Sequence, residues 1–147
     1  SFIGLVDYAH TPDAVQNVIA TARKLTSGQV IGVLGCGGDR DNSKRPLMGQ
    51  ALFQGCDVSI FTSDNPRSES ADSILKEMIS GLNLGQKGEV RIDRREAISL
   101  AVNKANPGDV VLIMGKGHES GQEINGVITP FDDRLELTQA ILEKGKK

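Results

Sequence analysis

Asp64-Asn65-Pro66-Arg67 places a carboxylate, an amide and a guanidinium within one short run stiffened by a proline. The carboxylate can accept from an ammonium. The guanidinium presents a planar fork that matches a carboxylate with two parallel hydrogen bonds, and the amide can serve either partner. Together they can grip a zwitterion. Three further stretches carry related chemistry. Gly35-Cys36-Gly37-Gly38-Asp39-Arg40 lets a ligand approach the backbone closely and adds an acid and a second guanidinium. Gly115-Lys116-Gly117-His118-Glu119 combines two glycines with an anion, Glu119, that can hold an amine. Asp7-Tyr8-Ala9-His10-Thr11-Pro12 leads into a helix start, whose free N–H groups attract phosphate or a ribose edge. There Asp7 can hold two vicinal hydroxyls, and His10 can stack or hydrogen-bond.

Each stretch alone also has an ordinary explanation. Thr11 caps a helix with His10 on the surface, and the glycines make a plain strand-to-helix turn. DNPR is an Asx-type turn with Arg67 solvated, and GKGHE is a β-turn with surface charges. The glycine loop is not a dinucleotide fingerprint, because Arg40 stands where GxGxxG needs glycine, and no GxxxxGK[ST] phosphate loop occurs anywhere. His10 and His118 are the only histidines, and no metal-ligand set converges on either. Whether Lys44 or Lys116 touches phosphate is left open.

The elements that must position these residues are legible from apolar spacing. Residues 2–6, 29–34, 58–62, 90–92 and 110–114 read as strands. A helix starts at Thr11-Pro12-Asp13, carries Val15, Val18, Ile19 and Ala22, and runs to about Leu25. A second spans 44–55 with Leu47, Ala51 and Leu52 on one face. Ser70 caps a third containing Ile74, Leu75, Met78 and Ile79. Ala97, Ile98, Ala101 and Val102 mark a fourth, stopped by Asn106-Pro107-Gly108. Residues 123–128 suggest part of a hairpin, Asp132 or Asp133 starts a last helix through Leu142, and the tail 143–147 is expected to fray. Strands that are continuous apolar runs, alternating with helices, predict an α/β, Rossmann-like, mostly parallel sheet with helices on both faces. Ligands in such sheets sit beyond the carboxyl ends of the strands. DYAHTP, GCGGDRD, SDNPR and GKGHE each follow a strand. Asp64 and Glu119 for an amine, with Arg40 and Arg67 for carboxylates, then describe a site for an amino acid carrying more than one carboxylate.

Composition excludes several classes. The chain has 147 residues, which suits one domain over 1–147. A formal net charge of −2 and 3% aromatics leave no electrostatic footprint or stacking surface for nucleic acid. No apolar run approaches the roughly 20 residues needed to cross a bilayer. The start has no basic region of the kind a signal peptide carries. Cys36 and Cys56 have neither zinc nor CxxC spacing, so reduced thiols are expected. Strand-like FIGLV opens almost at residue 1, the pattern of a piece of a longer chain.

DYAHTPDA (7–14), GCGGDRDNSKRPLMG (35–49), SDNPR (63–67) and GKGHE (115–119) together resemble one family, the C-terminal domain of the Mur ligases. Within it they are similar to the branch that adds the third peptide residue of peptidoglycan, and the similarity runs from about residue 5 to about residue 142. The resemblance implies a cytoplasmic, three-domain ligase. Its first domain binds the UDP end of UDP-N-acetylmuramoyl-L-Ala-D-Glu, its central domain holds most of ATP and Mg2+, and its third domain recruits the incoming amino acid. An acyl phosphate on the D-glutamyl carboxylate is attacked by the amine of meso-diaminopimelate. By motif position, Arg40, Asp64, Asn65, Arg67, Gly115 and Glu119 are expected to bind diaminopimelate, and Asp7, His10, Thr11 and Asp39 to contact the nucleotide. The resemblance implies that the DNPR form goes with diaminopimelate, and the physics agrees: the far carboxylate suits a guanidinium, which would repel the ammonium of lysine. The phosphate-loop lysine, magnesium carboxylates and carbamylated lysine of the central domain are missing from this sequence, so no catalytic or metal residue is assigned and the isolated domain is expected to be inactive. A lysine-adding ligase of the same family and a non-catalytic nucleotide-binding module are the alternatives.

Overall fold

The computed structural model describes residues 1–146. Five parallel strands form one sheet: β1 (Ile3–Asp7), β2 (Val30–Cys36), β3 (Val58–Ser63), β4 (Gly88–Val90) and β5 (Val110–Met114), in the spatial order β1-β5-β2-β3-β4. Helices α1 (Pro12–Lys24), α2 (Arg45–Gly55) and α3 (Ala71–Met78) cover one face, and α4 (Arg94–Lys104) and α5 (Asp133–Gly145) cover the other. A separate antiparallel hairpin, β6 (Gly121–Ile124) and β7 (Val127–Pro130), joins β5 to α5.

Strand side chains alternate between two cores, as the pleat requires. Val110, Leu112 and Met114 pack towards α1–α3, whereas Val111 and Ile113 pack towards α4 and α5. All five are fully buried, which is why β5 reads as an unbroken apolar run. Each such side chain contributes roughly 1.5–3 kcal/mol on burial. β5 lies between β1 and β2. The chain leaves β1 and β2 for helices on one face and returns after the hairpin to α5 on the other. The exits therefore diverge around the carboxyl end of β5 and open a crevice there.

Helix starts follow local chemistry. Thr11, Ser70, Asp93 and Asp132 each accept a backbone N–H of the first turn of the following helix. The Asn125-Gly126 turn has positive φ at both residues, 51° and 78°, which suits a tight hairpin.

Some boundaries differ from the sequence reading. β4 lies two residues earlier than 90–92, because Gly88, Glu89 and Val90 pair with Ser59, Ile60 and Phe61. Ile92 is left half-exposed, with its carbonyl accepting from Ser63 Oγ. β2 and β3 continue to Cys36 and Ser63, so part of each expected loop is strand. On α2 the buried side is Arg45, Met48, Gly49, Ala51 and Leu52, and Leu47 faces solvent. Gly49 explains the rotation: a Cβ there would stand 1.8 Å from Met78 O, so α3 packs on that side. The tail is helical through Gly145 rather than frayed from 143, and Lys144 Nζ caps the carbonyls of Val102 and Ala105 at the end of α4. Lys147 lies outside the described residues. Cys36 and Cys56 are both free and buried.

Candidate functional site

The loops that follow β1, β2, β3 and β5 enclose one cavity of about 460 Å³. Arg40, Asp64, Asn65, Arg67, Gly115 and Glu119 all line it, and so do His10 and Thr11. Asp7 and Asp39 do not. Asp7 is turned into its own loop, where Oδ1 accepts from Ala9 N at 2.8 Å.

The glycine loop and the DNPR loop are latched together. Gly38 N donates to Asn65 O at 2.7 Å, and a Cβ on Gly38 would stand 1.8 Å from Pro66 O, so only glycine permits the approach. Asp39, at φ 55°, accepts from Ser68 Oγ at 2.5 Å and from Ser68 N at 3.2 Å. These bonds hold its carboxyl below the usual carboxylate range. Asp39 thus ties the two loops to each other.

Arg67 occupies the left-handed region at φ 54°, a conformation that a non-glycine residue adopts only where its surroundings impose it. The hairpin imposes it here. Arg67 N donates to Glu123 O, and Asn125 N donates to Arg67 O. The guanidinium is thereby carried back over the glycine loop, where Nη1 donates to Gly38 O at 2.8 Å. Its nearest acid is Glu123, at 3.8 Å from Nε and beyond hydrogen-bond range.

Behind the acidic wall lies a cation. Lys116 is fully buried, and its Nζ reaches Asn65 Oδ1 at 2.9 Å, Asp64 Oδ1 at 3.2 Å and Glu119 Oε1 at 3.7 Å. The two carboxylates expected to hold a ligand's amine therefore already share an ammonium of the chain itself. Asn65 Oδ1 also accepts from Glu123 N, and Gln122 Nε2 donates to Asp64 O, so the hairpin braces the same wall. Gly115 adopts φ 117°, which lets the chain turn out of β5 beside Asp64.

A family model described as Mur ligase, glutamate ligase domain matches residues 2–117, which takes in β1 to β5 and the glycine and DNPR loops. The chain belongs to the Mur ligase family. It is 51% identical over 145 residues to the UDP-N-acetylmuramoyl-L-alanyl-D-glutamate–2,6-diaminopimelate ligase of Streptomyces coelicolor, covering 95% of this chain and 29% of that protein. The ligase of the same description from Aquifex aeolicus is 52% identical over 132 residues, covering 90% of this chain and 27% of that protein. A solved structure of a UDP-N-acetylmuramoyl-L-alanyl-D-glutamate–2,6-diaminopimelate ligase superposes with a TM-score of 0.93 at 48% identity, over 98% of this chain and 30% of that one. The chain thus spans less than a third of the length of these relatives.

In this Mur ligase domain, several residues that shape the site were not singled out from the sequence. Arg45 is buried at the cavity wall. It forks onto Glu69 at 3.0 and 2.6 Å, contacts Glu77 at 2.5 Å and donates to Gly37 O at 3.0 Å. Those bonds raise the Arg45 guanidinium, and Arg45 together with Asp39 N–H holds the Glu69 carboxyl below its ordinary range. Arg94 and Asp133, both buried, pair beneath the strand ends. Burial opposes the Arg94 charge, but the bonds and charge of Asp133 outweigh it. No local pattern marks these residues, because their acidic partners are 24 or more positions away. Lys116 had a signal, since it stands inside GKGHE immediately after β5. Cys36 lines the cavity as an inert thiol: burial, and then Asp64, push it up to about 12. Among the described residues, no group of three or more His, Cys, Asp or Glu side chains is placed to hold a metal, and no helix is long and apolar enough to cross a membrane.

Proposed function

We propose that this chain, as a single domain over 1–147, is the amino-acid-recruiting third domain of a cytoplasmic, ATP-dependent ligase. That enzyme adds meso-diaminopimelate to UDP-N-acetylmuramoyl-L-Ala-D-Glu. One observation carries the reading: guanidinium, amide and carboxylate groups from three separate strand-end loops converge on a single cavity. The names of the related ligases agree with it.

In this reading Arg67 takes the far carboxylate of diaminopimelate. Arg40, exposed on the glycine loop and bonded among the described residues only to its own neighbour's carbonyl, can swing onto a second carboxylate. Glu119 and Asp64 receive the ammonium, sharing it with Lys116. The acid and guanidinium groups orient the ligand so that its other amine projects towards the activated D-glutamyl carboxyl group.

The residues present fit only one edge of an ATP site. Tyr8 and His10 pack edge to face at 4.8 Å in an exposed pair at the start of α1, which suits a base or ribose. The Thr11 hydroxyl is committed to capping Ala14 N, and the sequence has no phosphate loop. ATP and Mg2+ are therefore assigned mainly to the central domain of the whole enzyme, with the N-terminal domain holding the UDP-sugar. When bound, ATP supplies the phosphoryl group that activates the carboxylate.

Arg67→Ala in the full-length ligase tests the reading. Losing a charge-assisted pair worth roughly 1.5–3 kcal/mol raises the KM for meso-diaminopimelate about 10- to 100-fold, and binding of L-lysine, which lacks the far carboxylate, weakens little. Unaltered diaminopimelate ligation would remove Arg67 as the selector.

A further inference from the structure

We infer that Lys116 is a selectivity-setting positioning residue: a buried internal counter-ion that fixes the charge of the acidic wall so that the cavity prefers a doubly zwitterionic diamine to a cationic one. This deepens the reading above and rests on it.

Lysine is almost never fully buried unless it is paired. Lys116 is fully buried, and it does not line the cavity. It stands behind Asp64, Asn65 and Glu119, which do. Its ammonium has three protons and three oxygens to meet, at 2.9, 3.2 and 3.7 Å. The two short contacts hold Asp64 and Asn65 in place, and the third is longer than a hydrogen bond. Glu119 is thus left the freer carboxylate, with its side chain about one-third exposed.

The charge count follows. Asp64 and Glu119 contribute two negative charges, and Lys116 cancels one. The wall facing a ligand carries one net negative charge, enough for one ammonium. Diaminopimelate is neutral overall, with an ammonium and a carboxylate at each end, whereas lysine carries one net positive charge. Without Lys116 the wall would hold two carboxylates in a part-buried site, with Arg94 behind them already paired to Asp133. It would then favour the more cationic ligand, since like-charge and opposite-charge terms are strong where water is excluded. Arg67 supplies attraction for the far carboxylate, and Lys116 removes the excess negative potential that would draw in a competitor.

The test uses the full-length ligase with Lys116→Met, close to lysine in length but uncharged. The readouts are the KM and kcat for meso-diaminopimelate and the inhibition constant of L-lysine. The expected result is a fall of about tenfold or more in the ratio of diaminopimelate to lysine affinity, carried by KM and not by kcat. Lys116→Met/Asp64→Asn restores the charge count and moves the ratio back towards the wild type. If Lys116→Met does not fold, Lys116→Gln gives the same comparison. An unchanged ratio overturns the inference, whether both ligands weaken together, as a purely structural lysine would cause, or neither does. A wild-type enzyme that does not ligate diaminopimelate overturns the underlying reading instead, and with it the role of Lys116.

Discussion

Replacing Arg94 with methionine removes the cation on which the carboxyl ends of two central strands converge. Nε and Nη2 donate to Asp133 at 2.8 and 2.6 Å, Nη1 donates to Ser63 O at 3.0 Å, and Nη2 donates to Met114 O at 3.1 Å. Both members of the pair are inaccessible to solvent. Arg94→Met therefore leaves a buried carboxylate uncompensated and strips two strand-end carbonyls of a donor. Breaking a buried pair in this way costs about 3–5 kcal/mol. At about 2–4 °C per kcal/mol for a domain of this size, the Tm falls by roughly 6–20 °C. Arg94→Met/Asp133→Leu removes both charges and recovers most of the loss, because the intact pair had to be desolvated in the first place. Urea and thermal denaturation of the four proteins in the cycle, followed by circular dichroism, gives the coupling directly. Ser63 and Met114 immediately precede Asp64 and Gly115, so the double variant regains stability but still binds diaminopimelate more weakly. An Arg94→Met protein within about 1 kcal/mol of the wild type would refute the reasoning, as would a double variant that loses the sum of the two single losses.

Two other outcomes are expected. Gly38→Ala forces the glycine and DNPR loops apart, because its Cβ would lie 1.8 Å from Pro66 O. The cost is about 1–3 kcal/mol and a raised KM for diaminopimelate, whereas Gly37→Ala meets only the movable Arg67 Nη1 at 2.9 Å and is milder; calorimetry and steady-state kinetics separate the two. Glu69 has its folded pKa lowered from 4.5 by Arg45, so its contribution is present above the unfolded pKa and is lost as pH falls through the folded one. Tm measured against pH should therefore drop more steeply below about 4.5 in the wild type than in Glu69→Gln, and parallel curves would count against the Arg45–Glu69 latch.

Local signals were sufficient for most elements and for the rough position of the site. The cap residues Thr11 and Ser70 and the unbroken run Val110–Met114 specify helix starts and a doubly covered strand through short-range sterics and hydrogen bonding alone. A parallel sheet then sends the chemistry-bearing loops to one edge, because every strand points the same way. β4 was misplaced by two residues because a three-residue edge strand is chosen by its pairing with β3, which no local pattern encodes.

The sequence by itself determined which functional groups meet. Asp64, Asn65 and Arg67 follow one strand, Arg40 another and Glu119 a third, and a parallel fold brings such loops together whatever their details. Only the tertiary structure decided how those groups are charged and aimed. Arg67 is turned over the glycine loop by a hairpin more than 50 residues away, and Asp64 and Glu119 share the ammonium of Lys116. The physical reason is range: caps and apolar periodicity act within a turn or two of chain, whereas the electrostatics of a buried site depend on which distant side chains packing brings within a few ångströms.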